Sequence, residues 1–226
     1  MSPDTTEANE ANEAKLAALK QIYALYDAYT RSLSPACRKY CAHCCTCNVT
    51  LTRLEAAYIR RGLSPEKRAE LRRALAPQLE KKRYQPAITL NRMAELCMAG
   101  ADLPEEEIDP AWGPCPLLTD KACPIYELRP FGCRCLISTR NCGETGYAEI
   151  DDYTITVNYV FLQFIEHLDP NGFSGNFSDV LTAMETKPPE SPLLVNRPIP
   201  ALLIPPAHQP RLKPLVDQLQ AIVNSA

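Results

Sequence analysis

Eleven cysteines in 226 residues carry most of the chemistry open to this chain, and they are not scattered. Five form Cys37-x3-Cys41-x2-Cys44-Cys45-x-Cys47, inside the stretch CRKYCAHCCTC. Cys115, Cys123, Cys133 and Cys135 stand in CPLLTDKACPIYELRPFGCRC, with Cys97 between the clusters and Cys142 after them. Short spacings let several thiolates of one loop converge on a soft ion, and two loops distant in sequence can close a site between them. A single zinc takes four ligands, and seven or more plausible ones are present here. The excess points to an iron–sulfur cluster, to a second metal, or to spare cysteines with another role. Adjacent Cys44 and Cys45 do not readily aim at one small ion; a larger cluster or a split of roles accommodates them.

Other uses of the thiols fit less well. An odd number of cysteines excludes complete internal disulfide pairing. The start, MSPDTTEANEANEAK, lacks the basic end and apolar stretch of a secretory signal, so the expected location is the cytoplasm, where thiols stay reduced. Cys37, Cys41 and Cys44 also match the C-x3-C-x2-C of radical S-adenosylmethionine enzymes, whose repeated strand–helix units are missing here. Cys44-Cys45-Thr46-Cys47 is formally a C-x-x-C dithiol, but without a βαβ setting. His43 lies inside the first cluster and reads as a polar loop residue rather than a ligand, while His167 and His208 read as structural. Cys-Pro occurs at Cys115-Pro116 and Cys123-Pro124, and bacterial ferredoxin motifs also end in Cys-Pro. Arg38, Lys39, Arg129, Arg134 and Arg140 lie near enough in sequence to offset thiolate charge.

The elements that must position these loops read as helices. Leu16, Leu19, Tyr23, Tyr26, Thr30 and Leu33 recur at helical spacing before Ser34-Pro35 breaks the run. Two tyrosines and a threonine make a poor zipper seam, so this helix is expected to dock on its own domain. Thr52-Arg53-Leu54-Glu55 reads as a capping box, and Ser64-Pro65 as an N-cap with proline at the first helical position. Residues 53–83 carry a charge of +6, leaving −9 for the remainder; with few interleaved aromatics or glycines this reads as a solvated helix face, not a nucleic-acid surface. Val157, Val160, Phe161, Phe164, Ile165 and Leu168 mark the main core helix, and Ser178 is expected to cap a short helix through Met184. Trp112 reads as a core anchor for the second loop. Nine prolines from Pro188 to Pro214 suggest an extended strap, closed by an amphipathic helix through Leu212, Leu215, Val216, Leu219 and Ile222. No run approaches the roughly 20 apolar residues of a membrane span.

The pattern C-x-x-x-C-x-x-C-C followed by Val49-Thr-Leu-Thr-x-x-Glu55, and later CPLL…CPIYELRPFGCR, resembles the YkgJ-like CxxCxxCC family, described as a zinc- or iron-chelating domain. The resemblance spans roughly residues 37–142, and Ile125 to Arg134 is its most specific part. It implies a chelating set of Cys37, Cys41, Cys44, Cys45, Cys115, Cys123 and Cys133, with Cys97 and Cys142 as weaker members. The first spacing departs from the family, three residues where two are usual, and this bears on Cys37. Tyr126, Glu127, Arg129 and Arg134 are candidates for orienting the ligands from outside. Some relatives of the wider family are flagellin lysine N-methylases, which implies an enzyme alternative, although no methyl-donor pocket is legible in this sequence.

The expected protein is mainly α, with little or no sheet and irregular cysteine-rich loops around a metal centre packed by several helices. Its parts are an N-terminal amphipathic helix (1–36), the metal-binding core (37–143), a helical part of the same domain (144–187), and the proline-rich strap with the terminal helix (188–226). The expected cofactor is an Fe–S cluster in preference to Zn2+, serving a redox or metal-handling role. A structural zinc module for protein contacts is the third reading, and neither a membrane nor nucleic acid is an expected partner.

Overall fold

The computed structural model of the chain describes residues 3–37, 40–185 and 192–226. Arg38 and Lys39 lie outside the described residues, as does the start of the strap through residue 191.

The fold is mainly α with one small sheet. Helix α1 (Pro3–Arg31) buries Leu16, Leu19, Tyr23 and Tyr26, the stripe read from the sequence, together with Ile22. Helix α7 (Asp152–His167) fills the middle of the molecule, with Val157, Val160, Phe161 and Ile165 fully buried and Asp151 accepting from Thr154 N as its cap. Helix α9 (Gln209–Asn224) closes the bundle with Leu212 and Leu219 and carries Pro214 in its first turns. Together α1, α7 and α9 enclose the larger core, onto which Ile199, Leu202 and Ile204 of the strap pack. Burying apolar surface at about 25 cal/mol per Å2 gives the strap a reason to lie on the domain despite its prolines.

A second core joins α2 (Arg53–Gly62), α3 (Pro65–Leu75) and α8 (Phe177–Ala183). The capping box at Thr52 and Glu55 forms, and Ser64 caps α3. Asn176, not Ser178, caps α8: its side chain accepts from Ser178 N, because the helix starts two residues earlier than expected. Strand β1 (Thr50–Thr52) pairs antiparallel with β2 (Phe173–Asn176), which pairs with the two-residue β3 (Leu194–Val195) of the strap. Helix α4 (Leu90–Met98) packs on α7.

Six of the ten cations of the basic segment are paired with acids. Arg53 binds Asp169, Arg60 and Arg72 both bind Glu185, Arg61 meets Glu13, Lys82 meets Glu107, and Arg83 is buried against Asp179. Among the described residues no helix is long and apolar enough to cross a membrane.

Candidate metal centre

The second cysteine loop is folded back on itself by local rules. Asp120 and Lys121 both adopt positive φ (50° and 60°), and Thr119 and Ala122 exchange two backbone hydrogen bonds of 3.0 and 2.8 Å around them. This two-residue turn, of the kind whose twist suits a hairpin, returns the chain so that Cys115 and Cys123 become neighbours. The Cys-Pro pairs then have a use. Proline lacks an N–H, and the amides beyond it turn onto the sulfurs: Leu117 and Leu118 N–H donate to Cys115, and Ile125 N–H donates to Cys123. Hydrogen bonds of this kind stabilise thiolates and tune metal–sulfur centres.

Leu117 and Ile125 anchor this loop in the second core. Past it, the short helix α5 (Phe131–Arg134) carries Cys133. Phe131 is fully buried, stacked on Phe161 at 5.6 Å and edge-on to Tyr26 at 4.6 Å. Its backbone N–H donates to Glu55 Oε1 at 2.7 Å, so the carboxylate that caps α2 also fixes the turn beneath Cys133. Gly132 stands where a Cβ would come 2.6 Å from the Thr50 carbonyl oxygen; only glycine lets α5 approach β1 this closely.

The first loop docks against the second along its backbone. Cys115 N donates to Cys45 O at 2.8 Å and Cys47 N to Gly113 O at 3.0 Å, around a Thr46–Pro114 bridge. Asn176 donates to Cys47 O at 2.8 Å, and Asn48 holds Asp109 and Tyr84 by their backbone groups. As a result the Cys45 thiol lies within electrostatic reach of Cys115, Cys133 and Cys123. At the other end, Cys37 is within reach of Cys44, Cys41 and Cys142. Between the two groups the thiols of Cys44 and Cys45 are hydrogen-bonded to each other.

The resulting electrostatics are unbalanced. Burial pushes the Cys37, Cys115, Cys123 and Cys133 thiols upward, Cys133 most strongly of these. Cys45 is lowered because Cys44 donates to it, and Cys44 is raised by the same bond and by burial. Arg129 is the cation close to Cys44, Cys123 and Cys133. Among the described residues, one guanidinium beside these sulfurs leaves room for a second positive charge, and a metal cation deprotonates the thiols that bind it. A cavity of about 20 Å3 lies between Cys115, Cys123, Cys133 and Arg129, with Val49, Ile125 and Phe177 in its walls. Among the described residues no group of three or more His, Cys, Asp or Glu side chains is arranged to hold a metal ion as it stands. A centre at this place therefore needs the thiols to turn about χ1 onto a common point.

The remaining candidates divide clearly. Cys97 is exposed at the end of α4 and forms no part of the thiol patch described above. Cys142 opens the short helix α6 (Cys142–Thr145) and joins the Cys37 group. Cys47 is buried and donates to Asn48 Oδ1 and Lys82 O; Cys135 packs on the main core, where burial pushes it up to about 12. All eleven cysteines are free thiols. Arg129 stacks 3.8 Å above the exposed ring of Tyr126, so these two stand at the site, while Glu127 offers its backbone carbonyl to Arg134 and leaves its side chain exposed. Arg134 faces α1, pairing with Asp27 and covering Tyr23; its role is to hold the loop on the helix. Arg140 pairs with Glu149. The imidazole of His43 lies against Gly143, beside Cys142. His167 accepts from Ile199 N, and His208 bonds Thr156, both structural. Trp112 is not a core anchor: it is half-buried, with Lys82 4.5 Å above its ring, because Gly113-Pro114 turns away to pair with Thr46.

Sequence reading missed the second role of Glu55 and the parts of Phe131, Gly132 and Asn176. The Pro-Phe-Gly-Cys run was the available signal for two of them, as a glycine beside a candidate ligand marks close backbone approach. A cavity of about 410 Å3 lies apart from the thiols, between β1, β2, α4 and α7, with Glu55 and Glu166 in its wall. Both carboxylates are saturated by protein donors, Glu166 by Asn91 N and Arg197 N, which leaves them poor general bases. The chain matches no family model, no curated protein and no solved structure.

Proposed function

We propose that this chain is a cysteine-cluster metal protein, holding an iron–sulfur centre between its two cysteine loops in a redox or metal-handling role. The observation that carries the reading is the backbone pairing of Cys45 with Cys115, which joins loops 70 residues apart and brings the Cys45 thiol within electrostatic reach of Cys115. Amides aimed at the Cys115 and Cys123 sulfurs support it, since they favour thiolate over thiol. Eight thiols on the docked loops are more than one tetrahedral ion takes, which favours a larger centre or more than one. Such a protein belongs in a reducing compartment, the cytoplasm being the natural one.

Zinc is the second reading, and the cavity favours it. About 20 Å3 between Cys115, Cys123 and Cys133 is the space of roughly one water-sized sphere, room for a single ion with the thiols as they stand. Iron, acid-labile sulfide and zinc, measured per chain on protein purified without oxygen, separate the two. Iron with sulfide supports the first reading; zinc without sulfide supports the second. A chain that carries neither, and takes up neither under reducing conditions, is not a metal protein of this kind.

A further inference from the structure

Cys44 and Cys45 are neighbours in sequence, yet the sulfurs around them differ. Beyond their mutual contact, Cys45 is within electrostatic reach of Cys115, Cys133 and Cys123. Cys44 is within reach of Cys37, whose other thiol neighbours are Cys41 and Cys142, and it also reaches Cys135 and Arg129 on the far side. The backbone explains the division. From Cys45 onward the first loop pairs with residues 113–115. Before Cys44 it is held instead by residues 138–143: Ala36 N donates to Ser138 O at 2.8 Å, Ser138 N–H donates to the Cys37 sulfur, and His43 packs on Gly143. Successive side chains on an extended or turning backbone point in different directions, so one peptide bond suffices to send adjacent thiols to different places.

We propose that the eight thiols form two separate centres of four, Cys45–Cys115–Cys123–Cys133 and Cys37–Cys41–Cys44–Cys142, divided at the Cys44–Cys45 peptide bond. This rests on the reading of the thiols as metal ligands and adds to it a second site, with Cys142 as a full ligand. Each set supplies the four sulfurs of a tetrahedral thiolate centre, suited to zinc, to iron, or to one iron–sulfur cluster. Each set also draws on two stretches of chain, which closes a loop and makes metal binding part of folding.

The experiment is metal content per full-length chain, purified without oxygen, in variants of each set, with a Co2+ titration of the reduced metal-free protein as a second count. Cys142→Ala and Cys41→Ala should each halve the bound metal, Cys123→Ala and Cys115→Ala should each halve it by removing the other centre, and Cys142→Ala with Cys123→Ala together should abolish it. Far-UV circular dichroism shows whether each variant keeps its helices; two variants per set guard against one that does not fold. The partition is overturned if Cys142→Ala and Cys41→Ala leave metal content unchanged, or if any folded single variant loses all of it, the mark of one shared centre. A wild-type chain that binds no metal overturns the metal reading itself, and the partition with it.

Discussion

Removing the Glu55 carboxylate should cost more stability than any surface change on this molecule. The side chain is buried to 1% exposure and accepts four hydrogen bonds. Tyr23 Oη (2.8 Å) and Phe131 N (2.7 Å) donate to one oxygen, Thr52 N (2.7 Å) and Thr52 Oγ1 (3.1 Å) to the other. Glu55→Ala leaves three buried donors, the Tyr23 hydroxyl and the amides of Phe131 and Thr52, without their acceptor, at roughly 1–3 kcal/mol each. Burial already raises the carboxyl's pKa, and relief of that burial returns part of the loss. The net expectation is about 3–5 kcal/mol. Glu55→Gln keeps one acceptor oxygen but turns its amide onto either Phe131 N–H or Thr52 N–H, at about 1–3 kcal/mol. Urea unfolding of the reduced, metal-free full chain measures both; with a slope of about 2 kcal/mol per M, the Ala midpoint falls by roughly 2 M. A Glu55→Ala stability within about 0.5 kcal/mol of wild type would refute the idea that this carboxylate joins α1, α2 and the Cys133 turn.

Gly132→Ala places a methyl 2.6 Å from the Thr50 carbonyl oxygen, so α5 must move from β1; we expect a loss of about 1–3 kcal/mol in the same urea assay, with reduced metal uptake. Lys121→Gly removes a side chain from the left-handed region at φ 60° and should raise the stability measured by urea unfolding by about 1 kcal/mol, without altering metal content. Chelation of the metal should speed hydrogen exchange in residues 37–47 and 113–142 together, while α7, whose core faces are fully buried, keeps its protection; a response confined to 37–47 would show that the loops act independently.

Local signals were legible in the sequence and long-range ones were not. The stripe from Leu16 to Tyr26, the Thr52–Glu55 box and the core run of α7 depend on spacings of three and four, which a helix imposes. The Glu55 capping role was therefore visible, whereas its bonds to Tyr23 and Phe131 span 32 and 76 positions. The same limit applies to the thiols. Spacing marks Cys37 to Cys47 as a candidate metal loop, but the Cys45–Cys115 and Ala36–Ser138 backbone pairs decide which parts of the chain it meets. Trp112 was misplaced because aromatic size suggests a core position, while the chain on either side runs over the surface beneath Lys82. Residue type alone suggests Ser178 as a cap, whereas Asn176 holds the position because β2 runs to it directly.

The central claim is that sulfur from both loops binds metal, and X-ray absorption at the edge of the bound metal tests it most directly. On protein purified without oxygen, the account predicts a first shell of sulfur, at about 2.3 Å if the metal is zinc, with Cys123→Ala and Cys142→Ala each lowering the metal-bound fraction. A first shell of oxygen and nitrogen, or a stoichiometric metal whose sulfur shell is untouched by both substitutions, would contradict it.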